Sequence, residues 1–277
     1  MSVSIVIPWC NRPEIVTSLK ANSPSFDAVG AEVILINGSG NISELLSAAR
    51  ALQLGGIRLL DLRHAKYFNK AQCINIGVNC SINDWIFMLD ADIVLPSDFF
   101  PEALKLVRER HSYLSVKEAI ELDSDVRDDP TVPRGAVVRT VNTNRIEYEN
   151  GEYAELRVSV DRRGTRNAPG MMLVRKNDFV EIGGANSQLF GWGFEDLDVQ
   201  IRLQLLLGLK QIEYGKVTHL SHKIQEGFAR SAFINRQVAQ DNYYHKQLKG
   251  SYVRDTEEMQ ENVIEVQLDD IGTNEPR

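Results

Sequence analysis

Along the first hundred residues the apolar pattern switches repeatedly between two forms. Val3–Pro8, Glu32–Ile36, Ile57–Leu62 and Asp84–Leu89 are short, nearly unbroken apolar runs of the kind that form strands buried on both faces. Between them, Arg12–Ala21, Ile42–Leu54 and Lys70–Cys80 read as helices. Pro13 suits a first helical turn, and Leu45, Leu46, Ala49 and Leu52 fall at helical spacing. Strands alternating with ten-residue helices predict βαβ units: an α/β fold with a mostly parallel central sheet flanked by helices. Ligands of such sheets sit beyond the carboxyl ends of the strands. The loops Pro8–Arg12, Asn37–Gly40, His64–Asn69 and Asp90–Asp92 are therefore expected to share one rim.

After a helix at Ser97–Arg110 the pattern loosens. Ser115–Asn167 is polar and reads as an irregular excursion with hairpins, its termini close together, with short alternating pieces at Ala136–Val141 and Ala154–Val160. Met171–Val174 resumes as a strand, followed by a helix at Glu195–Leu207, a strand at Glu213–Leu220 and a polar helix at Ala229–Leu248. The acidic stretch 251–277 is expected to be a loosely held tail.

Composition narrows the function classes. The 277 residues are 43% hydrophobic and 25% charged, a globular balance. Thirty-one Lys and Arg against 38 Asp and Glu give a net charge of −7, which argues against holding nucleic acid or an anionic membrane by bulk charge. No apolar run approaches the roughly 20 residues that span a bilayer, and no basic stretch precedes the first strand, so no transmembrane segment or signal peptide is expected. Cys10, Cys73 and Cys80 cannot all pair and form no CxxC motif, which points to a reducing compartment without structural zinc. A cytoplasmic protein is expected; peripheral contact with the inner membrane face is compatible with this.

Four segments carry candidate chemistry. Asp90-Ala91-Asp92 closes an apolar strand, and carboxylates at i and i+2 leave a rim on the same side, where they can address one divalent cation and its phosphates. A solvated turn is the plainer alternative. Phe68-Asn69-Lys70-Ala71, with Asn75-Ile76-Gly77, opens a helix whose free N–H groups and Lys70 favour a diphosphate; alternatively Asn69 is simply an N-cap and Asn75 a buried polar residue. In Gly191-Trp192-Gly193-Phe194-Glu195-Asp196-Leu197-Asp198, glycines frame a tryptophan suited to a sugar face, and carboxylates open a helix where one can take a proton from a hydroxyl. An acidic first turn explains the acids but not the glycine frame. His219 and His222 lie three apart on or after a strand, on opposite faces, so at most one is expected to share a metal with Asp92. Oxygen ligands with one imidazole suit Mn²⁺, with Mg²⁺ as the alternative. Arg157, Arg162, Arg163 and Arg166 read as a charged hairpin surface, or as a contact for an anionic acceptor.

In this order the motifs resemble those of GT-A fold glycosyltransferases, family 2-like, with a C-terminal half similar to the β-1,4-galactosyltransferases. Bacterial chondroitin- and hyaluronan-type polymerase domains carry similar signatures. The resemblance rests on Val6-Ile7-Pro8-Trp9-Cys10-Asn11-Arg12, Phe68-Asn69-Lys70-Ala71, Asp90-Ala91-Asp92, Gly191-Trp192-Gly193-Phe194-Glu195-Asp196, and His219 with Lys223 and Glu226. It implies a GT-A domain over 1–250, with a nucleotide-binding half at 1–112 and an acceptor half at 113–228. It also implies nucleotide-sugar contacts from Pro8, Asn11, Arg12, Asn37 (near the uracil), Asn69, Lys70, Asp90, Ala91 and Trp192. Asp92 and His219 are implied as Mn²⁺ ligands, Glu195 as a partner of a sugar hydroxyl and Asp196 as the catalytic base. Phe194 stands where that family has a second glycine and is expected to narrow the acceptor mouth.

The expected activity is inverting, metal-dependent transfer of a hexose, galactose or N-acetylgalactosamine favoured, from a UDP-sugar to a glycan or glycolipid acceptor, as in bacterial surface polysaccharide synthesis. Two rivals carry less. A sugar-phosphate nucleotidyltransferase needs a glycine-rich loop after the first strand, where this chain has Pro8-Trp9-Cys10-Asn11. A non-catalytic carbohydrate-binding protein on a decayed transferase fold would not be expected to retain Asp92, Asp196 and His219 together.

Overall fold

The computed structural model describes residues 2–51, 57–62, 65–108, 111–122, 139–161, 165–191, 193–221 and 228–266. The elements of the first half are β1 (Val3–Trp9), α1 (Ile15–Asp27), β2 (Glu32–Asn37), α2 (Ile42–Ala51), β3 (Ile57–Leu62), α3 (Lys70–Cys80), β4 (Trp85–Met88), β5 (Ile93–Val94) and α4 (Phe99–Arg108). They are followed by β6 (Ser112–Glu121), β7 (Arg139–Glu147), β8 (Tyr153–Asp161), β9 (Thr165–Arg175), α5 (Lys176–Glu181), α6 (Glu195–Leu207), β10 (Lys210–His219), α7 (Phe228–Tyr244), α8 (Tyr252–Asn262) and β11 (Val263–Val266).

Among the described residues these strands form one sheet, ordered β11-β3-β2-β1-β4-β9-β6-β10-β5, with β7 and β8 as a hairpin off β9. β3, β2, β1 and β4 run parallel, as do β6 and β10; β9 runs antiparallel between β4 and β6. Alternate side chains of each inner strand enter two cores. Ile5, Ile7, Leu35 and Phe87 meet α1, α2 and α4 on one face, and Val6, Ile34, Ile86 and Met88 meet α3, α5 and α6 on the other. Burial on both faces is why these strands read as unbroken apolar runs. The carboxyl ends of the parallel strands come together: Trp9 pairs with Asn37 and Asn37 with Asp61, and Gly38 N donates to Trp9 O at 2.9 Å.

Two expectations change. Ser115–Asn167 is not an irregular excursion at its flanks. β6 and β9 are long interior strands of the main sheet, and polar positions disguise them outside the expected Met171–Val174; between them β7 and β8 form a regular hairpin, as expected. The chain past 250 is not a loose tail as far as 266. α8 packs on α3, and β11 pairs antiparallel with β3. The reason is polar and buried. Asp255, fully buried, accepts from Asn75 Nδ2 at 2.7 Å and from Ser187 Oγ at 2.9 Å, while Arg58 grips both oxygens of Glu265 at 2.9 Å. Asn75 therefore serves the fold, bonding Ala185 through both its amide and its carbonyl as well.

Helix α1 begins three residues later than expected and continues through Pro24 to Asp27. Its buried polar side chains hold the strand that follows Asp92. Ser18 Oγ and Asn22 Nδ2 both donate to Ile93 O at 2.7 Å, and Asn22 Oδ1 accepts from Leu95 N at 2.7 Å.

Candidate active site

The rim at the ends of β1 and β2 is a braced pair of turns. Pro8 is buried within β1, opposite Ile36. Asn11 has a left-handed φ of 50°, and its side chain accepts from Asn41 N at 2.7 Å; Arg12 is half-buried beside it. Asn37 closes its own turn: Nδ2 donates to Gly40 O at 3.0 Å and to Asp61 Oδ1 at 2.8 Å, and Oδ1 accepts from Gly40 N at 2.7 Å. The half-buried carboxylate at this point of the rim belongs to Asp61, which the sequence reading passed over.

At the ends of α3 and β4 the charged groups converge. Asn69 is an N-cap, accepting from Gln72 N at 3.2 Å and donating to Ser187 O at 2.8 Å, and its backbone bridges to Gly191. That bridge brings the start of α3 to the start of α6. Lys70, buried, sits with Nζ 2.6 Å from Asp90 Oδ1 and 3.4 Å from Glu195 Oε1. Burial alone would lower the Lys70 pKa, but Asp90, Glu195 and Asp196 outweigh it, and the net shift is upward.

Residues 90–92 turn rather than continue β4, so the two aspartates part. Asp90 faces Lys70, whereas Asp92 faces His219, with Oδ2 3.6 Å from Nε2. Ala91 is buried between them. The pairing of β5 with β10 sets Ile93 opposite His219 and thereby delivers the histidine to Asp92. Burial alone would lower the His219 pKa; contacts with Asp92 and Glu121 outweigh it and raise it overall.

Gly191 and Gly193 have φ of 80° and 95°, and a Cβ on Gly193 would stand 3.0 Å from that of Ala232 on α7. The frame is glycine because of backbone angle and close helix approach. Trp192 lies outside the described residues, as do His222, Lys223, Glu226, Arg162 and Arg163. Phe194, also left-handed at φ 71°, is the N-cap of α6, and its ring packs on a core of Leu156, Leu189, Ile201 and Tyr243. Left-handed geometry costs a non-glycine roughly 1–2 kcal/mol, which accounts for the preference for glycine at this place. Of the helix carboxylates, Asp198 is structural, buried against Arg202.

Glu195 and Asp196 stand together at the start of α6. Glu195 is buried, and its Oε2 has no hydrogen-bond partner. Burial pushes its pKa up to about 7, helped by the charge on Asp196 and opposed by Lys70. Burial raises Asp196 too, again against Lys70. A Cβ added to Gly170 on β9 would stand 3.1 Å from Asp196 Oδ2 and 3.2 Å from Lys70 Nζ. Glycine here, a residue the sequence reading missed, lets Asp196, Lys70 and Asp90 approach the strand closely. Such neighbours titrate as a pair. A reaction that needs this pair ionised gains rate as pH rises through its raised titration and then levels, which a pH–rate profile reads. Because Lys70 lowers both pKa values, Lys70→Met should carry that limb to higher pH, as a pH–rate profile would show.

Among the described residues no group of three metal-type side chains converges. The donor set at Asp92 and His219, one carboxylate and one imidazole, nonetheless fits a cation such as Mn²⁺ or Mg²⁺ that arrives with substrate phosphates as its remaining ligands.

Residues 4–183, well over half of the chain, match the model for glycosyl transferase family 2. The chain belongs to glycosyl transferase family 2. Within this family-2 chain, residues 154–223 also match a model described as the N-terminal domain of galactosyltransferase, a segment that contains Gly170, Glu195, Asp196 and His219. No curated protein matches the sequence. Solved structures share the fold. A mannosyltransferase, PcManGT from Pyrobaculum calidifontis, in complex with GDP-Man and Mn²⁺, aligns with a TM-score of 0.56 at 15% identity, over 89% of this chain and 64% of that one. TarS residues 1–349 from S. aureus align at 0.55 and 11%, over 92% and 71%. GalNAc-T7 with UDP, GalNAc and Mn²⁺ aligns at 0.56 and 14%, over 94% and 56%. The fold is GT-A, as the motifs implied. The family-2 chain thus spans less than two thirds of the mannosyltransferase and of GalNAc-T7. Among its described residues no helix is long and apolar enough to cross a membrane.

Proposed function

We propose that this family-2 chain is an inverting, divalent-metal-dependent hexosyltransferase that moves a hexose, galactose or N-acetylgalactosamine favoured, from a UDP-sugar to a hydroxyl of a glycan or glycolipid. The observation that carries the reading is the convergence of Asp196, Lys70 and Asp90 on Gly170, with the unpartnered Oε2 of Glu195 buried at the start of the helix that carries Asp196. The galactosyltransferase-type match over this segment, and neighbours solved with GDP-Man and Mn²⁺ or with UDP, GalNAc and Mn²⁺, support it.

In this reading the nucleoside lies along the rim formed by Pro8, Asn11, Arg12, Asn37 and Asp61. Asn69, Lys70, Asp90 and Ala91 seat the ribose and diphosphate, and Trp192 meets the sugars. Asp92 and His219 would hold the cation, which when bound neutralises charge on the leaving diphosphate. Glu195 Oε2 accepts a sugar hydroxyl, which satisfies its missing hydrogen bond. Asp196 takes the proton of the acceptor hydroxyl as that oxygen bonds to the anomeric carbon, and the bond from that carbon to the diphosphate oxygen breaks with its electron pair leaving on UDP. One displacement inverts the anomeric centre without a protein nucleophile. Lys70 opposes the upward shift that burial imposes on both carboxyls and is itself held by Asp90.

The test is release of nucleotide from a panel of UDP- and GDP-sugars without acceptor. Mn²⁺-dependent release from one UDP-sugar, abolished by chelator, is expected. No release, together with no UDP binding by calorimetry, would overturn the reading in favour of a non-catalytic carbohydrate-binding protein.

A further inference from the structure

We propose that Glu121 is a positioning residue that fixes the ring of His219 so that Nε2 is the nitrogen presented toward Asp92 and a cation. The inference rests on the reading of Asp92 and His219 as the cation site. No motif pointed to Glu121: it ends an amphipathic strand, and its partner lies 98 residues away. The parallel register of β6 and β10 sets Glu121 beside His219, and Leu122 N donates to His219 O at 2.9 Å just beyond. His219 Nδ1 and Glu121 Oε2 are 2.6 Å apart, while Nε2 lies 3.6 Å from Asp92 Oδ2 on the other side of the ring.

The chemistry of the pair decides the tautomer. An ionised carboxylate only accepts hydrogen bonds, so the nitrogen facing it carries the hydrogen. In the neutral imidazole the lone pair is then on Nε2, as a cation beside Asp92 requires. Glu121 is itself held: Oε2 also accepts from Ser221 Oγ at 2.9 Å, and Oε1 lies 3.6 Å from Arg166 Nε. Both side chains are largely buried, at 11% exposure for His219 and 14% for Glu121, so the ring has little solvent to replace this partner. Arg166, read from sequence as part of a surface cluster, instead leans on this carboxylate.

The experiment titrates Mn²⁺ into the full chain in the presence of UDP, following free Mn²⁺ by electron paramagnetic resonance. It compares wild type, Glu121→Met, Glu121→Gln and His219→Ala. Methionine fills the space without accepting the hydrogen, and glutamine keeps an accepting oxygen. Glu121→Met is expected to weaken Mn²⁺ binding by about 10–100-fold, with Glu121→Gln recovering most of the loss and both variants matching in thermal midpoint without metal. Binding by Glu121→Met equal to wild type, while His219→Ala binds weakly, overturns the role of Glu121 alone. Equal weakening in the Gln and Met variants also overturns it, because a hydrogen-bond acceptor would then not be what matters. Wild-type binding by His219→Ala overturns the cation site, and this proposal with it.

Discussion

Asp196→Asn is expected to lower kcat by about 10²–10⁴-fold while leaving UDP-sugar affinity within a few fold. The substitution is isosteric. An amide oxygen can still accept from Leu197 N, the 2.8 Å bond that orients the side chain at the start of α6. The ability to take a proton is lost. The surroundings change little, since Lys70 keeps its 2.6 Å contact with Asp90 and its 3.4 Å contact with Glu195. Removing the charge on Asp196 also removes one cause of the raised Glu195 pKa, so Glu195 should titrate lower in the variant. Initial rates at saturating acceptor, with calorimetry for the donor, separate the two effects. Near-normal turnover would end the case for Asp196 as the base.

The second large effect concerns stability. Arg202→Met is expected to cost about 3–5 kcal/mol in urea unfolding, because it strands a buried carboxylate. Arg202 is fully buried; Nε and Nη2 both reach Asp198 Oδ2, at 2.9 and 2.6 Å, and Nη1 caps Ile182 O at 2.7 Å. Without the guanidinium, Asp198 keeps, among the described residues, the Tyr243 hydroxyl at 3.2 Å from Oδ1, and a buried carbonyl loses its donor. Against a typical total of about 5–15 kcal/mol, such a loss threatens the folded state. Adding Asp198→Asn to the same chain should restore part of it, since the stranded charge is then gone. A double variant no more stable than Arg202→Met would place the cost in packing instead.

Which parts of the molecule could be read in advance follows from which interactions wrote them. The strands β1 to β4 were legible because burial on both faces leaves unbroken apolar runs, and parallel pairing then forces their loops onto one rim. β6 was not, and β9 only at Met171–Val174, because polar residues such as Ser115, Lys117 and Arg166 interrupt them although they lie inside the sheet. Helix α1 looked too short for a similar reason. Asn22 and Pro24 lie past its expected end at Ala21, yet the helix runs through both, and Ser18 and Asn22 bond the backbone around Ile93 and hold the turn after Asp92. Within the candidate site, the motifs pointed to Lys70, Asp90, Glu195 and Asp196, which the fold brings together. They did not reveal Gly170, whose contribution is the close approach it allows, or Glu121, whose contribution is a hydrogen bond across two strands.

The order in which the chain is made gives the C-terminal latch a further meaning. Asn75 waits 180 residues for Asp255, and Arg58 waits 207 for Glu265. At about 5–20 residues per second on a ribosome, that is on the order of 10–40 s during which the outer edge of β3 has no partner strand and Asn75 lacks its carboxylate. An exposed parallel edge invites pairing with a neighbouring nascent chain. The N-terminal half, though encoded first, is therefore completed last, and chains released before residue 266 would leave its sheet open to aggregation.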